Sequence, residues 1–388
     1  MEAKLDVSSR FNANKKEKSI CFIVDPLVTT AGAVRPALLL AREFHRLGYE
    51  VTIITLHFDE EICKKMQEDG VHFIAVGSKK FFIQSFPTFD AWLKCLVKNN
   101  IMFDLNRNYV NVINTSSTII APANVYYAQG LMIEALDAIS RFTPLHYRCA
   151  YYMMRKMLKI LERKMVKRIQ DLSKLFIANS VFCASMYKKW GFKVDGIINP
   201  PLDCSFFKPS TSKPTADYVL THFGIYGKEG GFQVIKAIAD AGVTVKAFGD
   251  YSSLPKFLVN HANIEFLGRV SDKELVDLYS NALYTLFAFN HEPFGYVPVE
   301  SMACGTPVLT YNRQGPSETV INYETGWLVN NDYEMVNLAI NLWREGYDST
   351  IRRKCRKRAE NFDVKKIFVQ WLKILEIENL CEQNKNER

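Results

Sequence analysis

No run of this sequence approaches the ~20 consecutive apolar residues that a membrane-spanning helix needs, so the chain is not expected to cross a bilayer. Its 9 cysteines are scattered and none forms a C-x-x-C pair. That spacing argues against a zinc ribbon and a disulfide framework and favours a reducing compartment. Residues 1–18 are polar and hold no apolar core of the kind a secretory leader carries, so the expected location is cytoplasmic, with peripheral contact to the cytoplasmic membrane face as the alternative. There is no D-x-D pair and no H-x-x-x-H or comparable cluster. No bound metal and no cofactor are therefore expected. The net charge of +8 comes without any nucleic-acid-binding motif, and a nucleic-acid partner is not expected.

What is present is enough apolar material for two cores. At 388 residues, 48% of them hydrophobic, the chain is too long for one compact domain and comfortable for two. Short apolar runs alternate with amphipathic helical stretches from SICFIVD onward: EVTIITL, VHFIAV, VNVIN, NVYYAQ and KLFIANS read as buried strands. In the first helix Val34, Leu38, Ala41 and Phe44 recur at helical spacing, and Gly48 ends it. The rhythm breaks where Pro200, Pro201, Pro209 and Pro214 mark a linker, and then restarts with DYVLTHFG. This β-α-β alternation implies parallel sheets covered by helices on both faces. The expected architecture is α/β, with a doubly wound domain over 1–205 and a second over 206–365 facing it across a central cleft. The last segment, 366–388, is a helix with a strong apolar stripe, expected to pack back on the first domain before a frayed tail. Ligands of such sheets lie at the C-terminal ends of the strands.

The most informative stretch is FAFNHEPFGYVPVESMACGTPVLTYNRQGPSE. A buried strand ends, the chain turns through His291, Glu292, Pro293 and Phe294, and a helix begins near Gly295. A helix N-terminus offers unpaired N–H groups and a positive dipole end, which suit a phosphate. Glu292 at the turn and Glu300 on the helix could accept hydrogen bonds from sugar hydroxyls on either side of it. His291 beside them reads as a bystander. A lone helical glutamate is usually a solvated surface residue, but here two share one apolar frame with Gly295, Gly305 and Pro307.

EPFGYVPVESMACGTPV resembles the signature of the family 4 retaining glycosyltransferases, whose GT-B fold is two Rossmann-like doubly wound domains. The similarity extends to AGAVRPALLLAREFHRLGYEVTIIT, IANSVF, INPPLDCSFFKP, FLGRVSDKELVDLYSNA and TGWLV. The resemblance implies that Glu292, with the backbone of Phe294, Gly295 and Tyr296, holds the donor sugar and distal phosphate. It implies that Glu300 binds the ribose and that Gly268, Arg269 and Val270 pass beside the base. Gly32 would let its loop approach the phosphate or acceptor, although a turn glycine explains it about as well. Arg35 is equally a phosphate ligand or a first-turn surface arginine. The function implied is metal-independent, retaining transfer of a hexose from a UDP- or GDP-sugar to a glycan or lipid-linked acceptor in glycan assembly.

Two departures from the family pattern stand out. Aligned on Gly224 and Gly231, the family's diphosphate-gripping Arg and Lys positions are Ile225 and Gly230, with Lys228 nearby to supply the charge. Where many members have a histidine near the donor sugar, this chain has Gln129, which can hydrogen-bond but cannot act as a base. A nucleotide-sugar-binding protein with weak or lost catalysis is therefore the alternative. Residues 141–168 carry nine basic side chains against the single acid Glu162, interleaved with tyrosines and methionines. That pattern fits either an anionic membrane surface or a solvated helix packed on the sheet. The basic run at 352–358 is expected to be a solvated face.

Overall fold

A computed structural model of the chain describes residues 18–77, 87–98, 109–141, 143, 145–223, 231–250 and 254–377. Two wholly parallel sheets organise it. In the first, β1 (Ser19–Ile23), β2 (Glu50–Thr55), β3 (Val71–Ala75), β4 (Asn111–Asn114), β5 (Ala123–Ala128), β6 (Ser173–Ala178) and β7 (Gly196–Ile197) lie in the order 3-2-1-4-5-6-7. In the second, β8 (Val219–Phe223), β9 (Val245–Gly249), β10 (Ile264–Gly268), β11 (Thr285–Phe287), β12 (Val308–Tyr311) and β13 (Gly326–Val329) lie in the order 10-9-8-11-12-13. Relabelled from its own first strand, the second sheet repeats the 3-2-1-4-5-6 order of the first. Each is a doubly wound Rossmann-like sheet whose strand order reverses between its first and fourth strands. Those reversals, at β1/β4 and β8/β11, open the two crevices.

The strands are continuous apolar runs because both faces are covered; all five residues of β1 are buried. Between them the helices begin at side-chain caps that satisfy their first N–H groups. Asp59 accepts from Glu61 and Ile62, Ser180 from Cys183, and Ser271 with Glu274 forms a reciprocal capping box.

After the second sheet the chain returns to the first. Leu202 pairs with the 362–364 segment at the crossing, Val364 N–H donating to Leu202 O at 2.8 Å and Leu202 N–H to Phe362 O at 2.8 Å. The helix Val364–Ile374 then joins the core beneath β1 and β5, with the Phe368 ring 4.7 Å from Phe44 and the Trp371 ring 5.1 Å from Tyr127.

The basic run at 352–358 is not the solvated face its composition implies. Arg353, Lys354 and Lys357 face solvent, but the other three are half-buried and hydrogen-bonded to helix C-terminal carbonyls. Arg352 donates to Ser280 O and Ala282 O, Arg356 to Ala303 O, and Arg358 to Glu318 O and Thr319 O. Cations suit that end of a helix, where unpaired carbonyls and the negative dipole end converge. One of the helices held this way, Tyr296–Ala303, carries Glu300.

The long basic helix, Leu145–Leu172, has two unlike halves. Leu158, Met165, Val166 and Ile169 are buried against the first sheet's core. Glu162 is buried with them, and its carboxylate accepts from Met132 N at 2.7 Å and Ile133 N at 3.1 Å, capping the helix Met132–Ser140. Burial outweighs these two hydrogen bonds and pushes the Glu162 carboxyl up to about 7 from 4.5. The folded chain thus holds this proton more tightly than the unfolded chain does. The contribution of Glu162 to stability is therefore greatest at acidic pH, falls as pH rises from about 4.5 towards 7, and levels off above that. Glu162→Gln removes the titration, so unfolding free energies at pH 5 and pH 8 should diverge between wild type and variant by about 3 kcal/mol. An equal pH dependence in both proteins would contradict this.

Candidate functional site

The site grows from the end of β11. Residues 288–295 leave that strand at the second sheet's crevice and lead into the helix Tyr296–Ala303. Gly295, the residue before its first turn, has φ +89°, a left-handed conformation that L side chains rarely adopt. Glu292 is half-buried on the turn, while Glu300, on the second turn of the helix, is 3% exposed.

The turn is braced by a residue that the sequence did not single out. Gln314 takes a left-handed backbone conformation, φ +61°, although it is not glycine. Its side chain accepts from Glu292 N–H at 2.7 Å and donates to Phe289 O. Gly315 N–H donates to Glu292 O at 3.0 Å. Both backbone groups of Glu292 are therefore fixed. The sequence signal for Gln314 was only the turn-like RQGPSE, which does not reveal its partner.

Across the cleft the first sheet contributes three contacts to this region. Ser180 Oγ donates to Pro293 O at 2.5 Å. The Glu318 carboxylate caps the helix Val181–Lys189 by accepting from Val181 N at 2.8 Å and Phe182 N at 2.6 Å, and burial raises its pKa. Gly130, at the end of β5, lies so close that an added Cβ would sit 2.9 Å from Pro293 Cγ. The neighbouring Gln129 donates from Nε2 to Ala33 O at 2.7 Å, tying the end of β5 to the loop after β1. In that loop Gly32 has φ +66° and begins a single 3-10 turn, Gly32–Val34. A hypothetical Cβ there meets no atom within 4 Å, so backbone conformation rather than crowding accounts for this glycine.

Arg35 follows directly and is not a surface residue. Its guanidinium pairs with Glu300 Oε1, while Tyr279 Oη donates to Glu300 Oε2 at 3.0 Å. A second guanidinium nitrogen lies 3.9 Å from Asp272. Asp272 starts the helix after Gly268, Arg269 and Val270, so Arg35 links that segment to Glu300. Gly268 has φ +68° at the end of β10, Arg269 is exposed and Val270 half-buried. The fold thus assembles Gln129, Gly32, Glu292, Phe294, Gly295, Tyr296 and Glu300 around one cleft, with 268–270 on its flank. Lys228, together with Ile225 and Gly230, lies outside the described residues. Among the described residues no group of three metal-ligating side chains occurs, and no helix is long and apolar enough to cross a membrane.

Residues 245–362, which hold the β11 turn and its helix, match the family model described as glycosyl transferases group 1. That match lies in the second-sheet half of the chain, and the two Rossmann-like sheets are those of the GT-B fold. It is 25% identical to the capsular polysaccharide biosynthesis glycosyltransferase CapM of Staphylococcus aureus over 301 residues, 69% of this chain and 76% of that one. A probable sucrose-phosphate synthase of Thermosipho melanesiensis is 27% identical over 175 residues, 43% of this chain but only 40% of that protein. The yeast alpha-1,3/1,6-mannosyltransferase ALG2 is 32% identical over 120 residues, covering 29% of this chain and 20% of its own length. Similarity to these last two spans less than half of each relative. Among solved structures, Anabaena HepE in complex with UDP-glucose superposes with a TM-score of 0.66 at 18% identity, over 92% of this chain and 99% of that one. WaaG, a glycosyltransferase involved in lipopolysaccharide biosynthesis, superposes at 0.65 with 16% identity, over 92% and 99%. These likenesses extend the GT-B fold over nearly the whole described chain.

Proposed function

We propose that this GT-B protein transfers a hexose from a UDP- or GDP-sugar to a glycan or lipid-linked acceptor, with retention at the anomeric carbon and without a metal ion. The observation that carries the reading is the braced turn at Glu292, placed between a helix N-terminus and the end of β5 across the cleft. In this reading the N–H groups at Gly295 and Tyr296 receive the distal phosphate, Glu292 accepts from sugar hydroxyls, and Glu300 accepts from the ribose. HepE, with the same fold, binds UDP-glucose. The similarity to CapM, a capsular polysaccharide biosynthesis glycosyltransferase, supports an acceptor in glycan assembly, and that to the mannosyltransferase ALG2 supports a hexose donor.

The chemistry asks little of a dedicated base. The bond from C1 to the phosphate oxygen breaks, and the acceptor oxygen bonds to C1 on the same face. The departing phosphate oxygen takes the acceptor proton. Gln129 cannot take a proton; its Nε2 donates to Ala33 O and Thr115 O, which leaves Oε1 to accept from a sugar or acceptor hydroxyl. Catalysis then rests on positioning and on dipoles aimed at the developing charge.

The test is transfer from UDP- and GDP-hexoses to a lipid-linked glycan acceptor in the presence of EDTA, with the product anomer read by NMR. Product with the donor's anomeric configuration is expected. Loss of transfer in EDTA would remove the metal-independent part, and an inverted product the retaining part. A second reading, nucleotide-sugar binding without turnover, is favoured by Ile225 and Gly230 at the diphosphate-gripping positions. Tight nucleotide binding with no product on any acceptor would establish it.

The acceptor side supports peripheral contact with an anionic membrane. Tyr152, Met153, Met154, Met157 and Ile160 are exposed on the helix Leu145–Leu172, beside the basic Arg148 and Lys156, while Arg155 is paired with Asp137. Apolar side chains next to cations suit a headgroup boundary. The protein should sediment with phosphatidylglycerol vesicles but not with phosphatidylcholine vesicles. The double substitution Met153→Glu, Met157→Glu should weaken that binding by about tenfold. Equal sedimentation with both lipids, or none, would contradict the proposal.

A further inference from the structure

Arg35 occupies the Glu300 carboxylate, to which the proposed function gives the ribose. On the reading that Glu300 accepts the ribose, both oxygens of its carboxylate are already engaged. Oε1 is paired with the Arg35 guanidinium and Oε2 accepts from Tyr279 Oη. The Glu300 side chain is 5% exposed and that of Arg35 12%. The guanidinium is held further by the Tyr296 ring, 5.0 Å from its centroid, by the Phe207 ring at 5.7 Å, and by Asp272. A ribose diol binds a carboxylate by donating from both hydroxyls, and it needs an open edge of that carboxylate to do so. Tyr279 comes from the same sheet's helices as Glu300 and is fully buried. Arg35 comes from the opposite sheet, 265 positions away in sequence.

We propose that Arg35 competes with the donor ribose for Glu300 and thereby sets nucleotide affinity. Entry of a nucleoside exchanges one charge-assisted contact, guanidinium to carboxylate, for two hydroxyl donors to the same oxygens. The exchange costs the nucleotide part of its gross binding energy. Removing the guanidinium removes that cost.

The experiment titrates UDP, GDP and inorganic pyrophosphate onto wild type, Arg35→Met and Glu300→Gln. Methionine keeps the apolar stem that lies over Tyr296 and Phe207. Arg35→Met should bind the preferred nucleoside diphosphate about tenfold more tightly than wild type, with pyrophosphate affinity unchanged because it has no ribose. Should methionine prevent folding, Arg35→Lys keeps the charge but not the planar fork, and should tighten binding about threefold. Unchanged or weaker nucleotide binding in the Arg35 variant overturns the competition, as does equal tightening towards pyrophosphate. Glu300→Gln reports on the underlying reading. If it leaves nucleotide affinity at the wild-type value, the ribose role of Glu300 fails and the competition fails with it. If it weakens binding while Arg35→Met does not tighten it, only the competition is lost.

Discussion

Replacing Glu292 with alanine should lower sugar transfer by at least about 10²-fold while leaving nucleoside diphosphate affinity within about twofold of wild type. The split follows from what the residue touches. Its backbone is fixed independently of its side chain, by Gln314 at the N–H and by Gly315 at the carbonyl. Alanine keeps both bonds, so the turn and the helix N-terminus behind it stay in place for the phosphates. In the proposed reading, what disappears is the carboxylate that accepts from sugar hydroxyls in the transition state. Because Glu292 is only half-buried, stability should change by no more than about 1 kcal/mol. Steady-state transfer with a nucleotide titration beside it checks both halves. Full activity in Glu292→Ala would mean that the chemistry lies elsewhere.

Gly315→Ala should damage the same turn from behind. An added Cβ would lie 2.3 Å from Pro293 O, 2.5 Å from Pro293 C and 2.5 Å from Phe294 Cα, all backbone atoms that cannot rotate away. The backbone of Gly315 is ordinary and right-handed, φ −54°, so the conflict is one of space rather than conformation. Relief requires the 292–295 turn to move by more than half an ångström. Overpacking of this kind costs roughly 1–3 kcal/mol, and a displacement approaching 1 Å in a positioning element can cost about 10²-fold in rate. The variant should melt lower and bind nucleotide more weakly, unlike Glu292→Ala. Wild-type melting and activity in Gly315→Ala would show that the turn is not held as described.

Much of the fold was legible because parallel α/β sheets write themselves locally. SICFI, VLTHF and TLF are short, wholly or nearly buried runs between amphipathic helices, and the proline-rich segment 200–214 separates two such series. The turn and helix around Glu292 were legible for the same reason, since glycines and proline frame them within a dozen residues. What escaped depends on partners far along the chain. Arg35 and Glu300 are 265 positions apart, and Glu318 is 137 from the helix start it caps. Periodicity reports which face of a helix is apolar, not which carbonyl an arginine will meet. For that reason Arg352, Arg356 and Arg358 read as solvated although they hold helix ends. Glu162 escaped in the same way: one acid among nine bases carries no local signal that it is a buried cap.

The central claim is that the cleft binds a nucleotide sugar through the second sheet's strand ends. Thermal unfolding of wild type in EDTA with UDP or GDP present tests this most directly, because a ligand that binds only the folded chain stabilises it by about 3 kcal/mol at a hundredfold excess over Kd. The account predicts that one of the two nucleotides raises the melting temperature by several degrees, and that Glu300→Gln reduces the rise. No shift with either nucleotide up to millimolar concentration would contradict it.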